Sequence, residues 1–322
     1  MATHHQVLII GGGTAGIMTA AQLLEQKKSN SVAIIEPAST HYYQPAWTLV
    51  GAGTYDYDKT GRPMADVMPN GVEWIMDKAT GFDAENNTVK TEVSGDITYD
   101  YLVVAPGLAY DFSLVPGLGE AMDKGVVCSN YTDPLHTWNV VKNFKGGTAL
   151  FTQPATPIKC GGAPQKIMYL AESHWAKSKT RSKSEVLFAT AGTVIFGVKE
   201  IAKTLMEVVD RKDINLRFNH KLVEVDAENQ IAWYEMTKEP LGNSCVVASE
   251  QQNGMSIDDS FQHNYKDVKV TVKDGRYGIH YDMLHTAPPS VAPKFVQQSN
   301  LVNDAGWLDV DKHTMQHNKY AN

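Results

Sequence analysis

Residues 7–36 narrow the folding options of this chain more than any other stretch. Val7 to Ile10 form a short apolar run, Gly11-Gly12-Gly13-Thr14-Ala15-Gly16 follows, and apolar residues then recur at helical spacing through Met18, Ala21 and Leu24. The order is strand, glycine turn, helix. Gly11 permits a tight turn, Gly13 lets backbone amides approach a pyrophosphate, and Gly16 allows the helix to pack on the strand. The unpaired N–H groups of the first helical turn, opened by Thr14 and Ala15, attract negative charge. A second strand, Val32-Ala33-Ile34-Ile35, ends at Glu36, where a carboxylate can accept hydrogen bonds from a ribose diol. A lone glycine fingerprint is weak; flanked by two strands, a helix and an acid, it predicts dinucleotide binding.

At 322 residues the chain has room for two packed domains. Its 29 Lys and Arg against 36 Asp and Glu leave a net charge of −7, which disfavours a nucleic-acid partner. No stretch approaches the roughly 18 continuous apolar residues of a spanning helix. The N-terminus enters its first strand too early for a secretory or transit peptide, so the expectation is a soluble chain of cytosolic origin. Cys128, Cys160 and Cys245 are too few and too scattered for a disulfide scaffold or a zinc site. The histidines show no ligand-like pairing with carboxylates, and no metal site is assigned.

A further strand, Thr148 to Thr152, precedes Gln153-Pro154-Ala155-Thr156-Pro157-Ile158-Lys159-Cys160-Gly161-Gly162-Ala163-Pro164. Two prolines and a Lys-Cys pair stand where a second phosphate-cradling glycine turn would be needed, so NADH and NADPH are not expected as electron donors. Pro164 suits the start of a helix, and Ile167, Leu170, Ala171 and Trp175 recur at helical spacing after it. Cys160 therefore precedes a helix N-terminus, where the dipole and the adjacent Lys159 favour thiolate. Gly161 and Gly162 would let a flat ring system come close. Cys128, in Val126-Val127-Cys128-Ser129-Asn130, reads as a packing residue, and Cys245 falls in a polar stretch over 236–277 that reads as a surface loop or hairpin extension.

The segment Tyr99-Asp100-Tyr101-Leu102-Val103-Val104-Ala105-Pro106-Gly107 resembles the second short motif of the FAD-dependent pyridine-nucleotide-disulfide oxidoreductase superfamily, with Pro106 in place of the usual Thr. That resemblance implies FAD as cofactor, with Ala105, Pro106 and Gly107 beside it and Ala79, in Ala79-Thr80-Gly81-Phe82-Asp83, pairing with the adenine edge through its backbone. It also implies an α/β fold of two Rossmann-like dinucleotide-binding domains, an FAD domain and a degenerate NAD-type domain. The expected boundaries are 1–115 for the first part of the FAD domain, 116–290 for the second domain with the redox cysteine, and 291–322 for the return to the first.

Closer in wording is the family of sulfide:quinone oxidoreductases, particularly the branch that includes the mitochondrial enzyme. Lys159-Cys160-Gly161-Gly162-Ala163-Pro164-Gln165-Lys166 is similar to it. So are the loop His41-Tyr42-Tyr43-Gln44-Pro45-Ala46-Trp47, Ile195-Phe196-Gly197-Val198-Lys199, and Tyr281 through Pro289. The resemblance implies that Gln44 contacts FAD and that Cys160 is the redox cysteine. It implies oxidation of sulfide to a cysteine-bound persulfide, with two electrons passing through FAD to a quinone and the sulfur going on to sulfite, a thiol or sulfide. Peripheral attachment to the cytoplasmic side of a membrane is expected with it. Rival readings are a non-catalytic FAD-binding or persulfide-carrying module and a type II NADH:quinone oxidoreductase. The segment from Gly306 to Asn322 resembles the approach to the superfamily's third FAD motif, and the sequence stops before that motif. The expectation is a fragment or a shortened relative, with the quinone pocket, membrane helices and second redox cysteine beyond it and with substoichiometric FAD when isolated.

Overall fold

The computed structural model describes residues 3–29, 31–237 and 268–322. The chain divides into two units, one of Met1–Tyr43, Lys59–Ala109 and Val291–Asn322, the other of Gln44–Asp58 and Tyr110–Ser290. This differs from the sequence-based boundaries in two places, one of them being that residues 110–115 group with the second unit and not with the first. Residues 44–58, expected in the first domain, pack with the second: Gly51 lies against Thr137 and Ile167, and the ring of Trp138 fills the space beside Gly53.

The first unit is built on a six-stranded sheet in the order Val72–Ile75, Val32–Ile35, Thr3–Ile10, Asp96–Val104, Thr88–Thr91, Ala79–Asp83. The first four strands are mutually parallel and the last two antiparallel. Val32 to Ile35 are all buried, as a strand covered on both faces requires. The two edge strands are separated only by Met76, Asp77 and Lys78. Chain reach between Ile75 and Ala79 is about 14 Å, whereas five flat interstrand spacings span about 24 Å, so the sheet must roll. Its inner face gathers Leu8, Ile10, Ala33, Ile35, Ala79, Val89 and Ile97 in one apolar cluster. Phe295 of the short helix Lys294–Gln297 joins this cluster, its ring 5.5 Å from that of Phe82.

In the second unit, five parallel strands run in the order Val127–Cys128, Met283–Thr286, Gly147–Gln153, Ser184–Thr190, Asn215–Arg217. Alternation along them divides the core. Ala149, Phe151, Val186 and Phe188 meet Ile167, Met168, Ala171 and Trp175 of the helix Ala163–Lys177. Leu150, Leu187, Ala189 and Leu284 face the other way, against Leu222, Val225, Ala232, Tyr234 and Ile279. Those residues belong to a four-stranded antiparallel sheet, His220–Asp226, Ile231–Met236, Arg276–His280 and Val270–Lys273. The result is helix, parallel sheet and antiparallel sheet in three layers. The last two strands of the antiparallel sheet form a hairpin at the end of the 236–277 stretch; Cys245 lies outside the described residues. Cys128 is fully buried, and burial pushes its thiol well above the usual range, which suits a packing role.

Candidate functional site

The glycine turn is shaped by backbone crossing it. Gly11 has φ of +100°, and a Cβ there would lie 2.2 Å from the carbonyl oxygen of Ala105 and 3.0 Å from Cα of Pro106. A Cβ on Gly16 would lie 1.9 Å from the carbonyl oxygen of Gly11. Only glycine fits either position. Ala105 N–H donates to the Ile10 carbonyl at 2.8 Å, so Gly11, Gly16, Ala105 and Pro106 form one packed junction. Gly107 follows with φ of +76°.

Gly13 differs from its neighbours. No protein atom stands within 4 Å of a Cβ placed there, and Gly13, Thr14 and Ala15 are exposed at the start of the helix Thr14–Glu25. Gly13 caps that helix without a side-chain hydrogen bond, leaving the first N–H groups directed outward. Glu36 stands beside them: its Oε2 accepts from Gly12 N–H and its Oε1 from Ala38 N–H, both at 2.7 Å. A carboxylate fixed by two backbone donors retains lone pairs for a diol. His41 Nδ1 lies 3.4 Å from the Gly12 carbonyl on the same turn. Ala79 is elsewhere, buried in the apolar cluster with Ile10 and Ile35 and aligned with Thr91 across the strand pair, so only its backbone could serve a ligand.

In the second unit the strand Gly147–Gln153 leads through Pro154 to Gly162 into the helix Ala163–Lys177. Cys160 is exposed on this loop. Its carbonyl oxygen accepts from Ala163 N–H at 3.1 Å and from the phenol of Tyr131 at 3.0 Å. Tyr131 is buried, and burial followed by the proximity of Cys160 raises its phenol above the usual tyrosine range, which keeps the proton on this donor. The ammonium of Lys166, on the first turn of the helix, is 3.6 Å from Cys160 Sγ.

Lys159, adjacent in sequence, does not serve the sulfur as expected. Its Nζ donates to Oε1 of Gln44 and sits 5.4 Å from the ring centre of Tyr110, and burial lowers its pKa. Tyr110 is itself pushed up to about 12 by burial. Gln44 is exposed, with its carbonyl committed to Lys159 and its amide NH2 remaining. Tyr131 and Lys166 were not singled out from sequence. Lys166 was within reach, since its position one helical turn inside a recognisable N-terminus directs it back toward the preceding loop. Tyr131 carries no local signal. Among the described residues no group of His, Cys, Asp and Glu is arranged to hold a metal ion.

A parallel sheet opened by an exposed glycine turn, interrupted by a second α/β unit, is the fold of a dinucleotide-binding protein of two-domain type; residues 5–140 match the family model "Pyridine nucleotide-disulphide oxidoreductase". The mitochondrial sulfide:quinone oxidoreductase of Mus musculus is 37% identical over 99% of this chain, which spans 64% of that relative's length. That of Schizosaccharomyces pombe is 31% identical, again over 99% of this chain and 67% of its own length. In fold, the sulfide:quinone oxidoreductase structure from Aquifex aeolicus matches with a TM-score of 0.75 at 20% identity, covering 99% of this chain and 67% of that one. The chain belongs to the sulfide:quinone oxidoreductase family. FAD is the cofactor of this family, and the open space over Gly13 beside the fixed Glu36 carboxylate fits its pyrophosphate and ribose.

Proposed function

We propose that this chain carries the FAD-binding and sulfide-oxidising part of a sulfide:quinone oxidoreductase, in which two electrons pass from sulfide to a quinone. The observation that carries the reading is Cys160, exposed and hydrogen-bonded by Lys166, on a loop that replaces a second glycine turn. In this reading Gly11, Gly13, Thr14, Ala15 and Gly16 cradle the pyrophosphate and Glu36 accepts from the ribose. Ala105, Pro106 and Gly107 border the cofactor, the backbone of Ala79 meets the adenine edge, and the amide NH2 of Gln44 supplies a polar contact.

At Cys160 the chemistry is sulfur exchange. Hydrosulfide contributes an electron pair to Sγ of Cys160 while that sulfur is joined in a disulfide to a second thiol. The S–S bond breaks, Cys160 is left as a persulfide, and the departing thiolate keeps the bonding pair. FAD, when bound, supplies the two-electron acceptor that re-oxidises the thiols and hands the pair to quinone. The sulfane sulfur then leaves to sulfite, a thiol or sulfide. We place the protein peripherally on the cytoplasmic side of a membrane; no described helix is long and apolar enough to cross one.

Stopped-flow reduction of the bound flavin tests the reading. Sulfide is expected to bleach the flavin and NADH is not, and Cys160→Ser is expected to abolish bleaching without loss of FAD. Bleaching by NADH would transfer the chain to the type II NADH:quinone oxidoreductases, and bleaching by neither donor would leave a non-catalytic carrier.

A further inference from the structure

We infer that Lys166 makes Cys160 selective for anionic reaction partners and pairs with the thiolate left there when its outer sulfur is handed on, an inference that rests on the reading of Cys160 as the sulfur-carrying residue. The two glycines after the cysteine leave open space beside it. No protein atom lies within 4 Å of a Cβ placed on Gly161, and beside Gly162 the nearest is Cε of Lys166 at 3.9 Å. The backbone at Cys160 is held by two donors on its carbonyl, Tyr131 at 3.0 Å and Ala163 at 3.1 Å. The Lys166 backbone is held in turn by its N–H bond to the Gly162 carbonyl at 2.9 Å, and its stem passes Gly162 to bring Nζ to 3.6 Å from Sγ. Of the two lysines flanking the cysteine, Lys159 has its ammonium committed to Gln44 and Tyr110, so Lys166 is the cation at the sulfur.

In the transfer step an acceptor anion, sulfite, a thiolate or hydrosulfide, forms a bond from its lone pair to the outer sulfur of the Cys160 persulfide. The bond between the two persulfide sulfurs breaks and its electron pair remains on Sγ. Lys166 takes part in no bond change; it attracts the incoming anion and stands beside the charge that collects on Sγ. No electrons leave the pair of reactants in this step, so it is separable from flavin reduction.

The test uses the whole 322-residue protein and two alkylating reagents of similar size, anionic iodoacetate and neutral iodoacetamide, with peptide mass spectrometry separating Cys160 from Cys128 and Cys245. The iodoacetate-to-iodoacetamide rate ratio at Cys160 is expected to fall about fivefold in Lys166→Gln, the size of one water-screened charge at this distance. Lys166→Arg should restore the ratio, and added salt should lower it in the parent but not in Lys166→Gln. A ratio unchanged by Lys166→Gln, or both rates moving by one common factor as a loosened loop would produce, overturns the inference. Failure of sulfide to bleach the flavin of the parent protein would instead sink the sulfide reading while leaving this ratio where it is.

Discussion

Lys159 Nζ donates to the Oε1 of Gln44, tying together positions 115 residues apart in the chain. The contact joins the cysteine loop to the segment that docks, through Thr48 Oγ1 and the Asn130 side chain at 3.1 Å, on the second unit. Although the Lys159 ammonium is partly desolvated, the residue as a whole is exposed, so the contact should add little to global stability. Lys159→Met is expected to leave the unfolding midpoint nearly unchanged while accelerating amide exchange over residues 44–51. Unaltered exchange there would mean the segment is held without Lys159.

Two glycines of the first turn should respond in opposite ways. Gly16→Ala places a methyl group 1.9 Å from the Gly11 carbonyl oxygen and should destabilise the fold by about 1–3 kcal/mol. Gly13→Ala meets no protein atom within 4 Å and should cost the fold no more than about 1 kcal/mol. Its methyl would stand where a phosphate approaches, so FAD affinity should drop at least about tenfold. Urea unfolding paired with FAD titration separates the two effects; equal FAD affinity in Gly13→Ala and parent would remove the pyrophosphate from this turn.

Tyr131→Phe deletes the phenol that binds the Cys160 carbonyl and leaves Ala163 N–H in place. A net loss of about 1 kcal/mol is expected from one hydrogen bond, with the fold retained. Cys160 should become less well directed, so that its alkylation by both reagents changes in the same proportion. Thermal unfolding with alkylation kinetics checks this; a variant indistinguishable from the parent in both would show that the loop needs no clamp.

Acid should weaken the second unit through two buried histidines. Burial lowers His285 from 6.5 to about 3 and His220 from 6.5 to about 4. In the folded state both stay neutral where the unfolded chain takes up protons, so the unfolded form binds more protons below about pH 6.5. Stability is full above that value and is lost as pH falls toward the folded pKa values, at up to about 1.4 kcal/mol per pH unit for each histidine. Urea unfolding at pH 7.5, 6 and 5 should show the decline, and His285→Gln should make it shallower. A pH-independent midpoint would contradict the assignment.

The first turn was legible because everything that defines it is local: an apolar run, glycines at fixed spacing and Glu36 at the end of the next strand. The helix after Cys160 was legible for the same reason, through Pro164 and the spacing of Ile167, Ala171 and Trp175. What escaped depends on chain segments meeting across long separations. Nothing in Gln44-Pro45-Ala46 announces that it packs with the second unit, since that docking is set by Gly51 fitting against Thr137 and Ile167. Lys159 was expected at the sulfur because it is adjacent in sequence, yet neighbouring residues on an extended loop point apart, and Lys166, one helical turn in, takes the place. Tyr131 reaches Cys160 from 29 residues upstream, with no periodicity to mark it.

The stacking of Phe295 on Phe82, and the bond from Lys319 Nζ to Glu85 across 234 residues, have a consequence for biosynthesis. A ribosome releases the rolled sheet of the first unit long before it makes the segment that covers Phe82 and engages Glu85, because the greater part of the second unit is translated in between. During that interval the nascent chain lacks the ring that stacks on Phe82. Its safe emergence then depends on how quickly the intervening unit compacts, so a synonymous codon change that slows translation within 110–290 should reduce the yield of native protein without altering one amino acid.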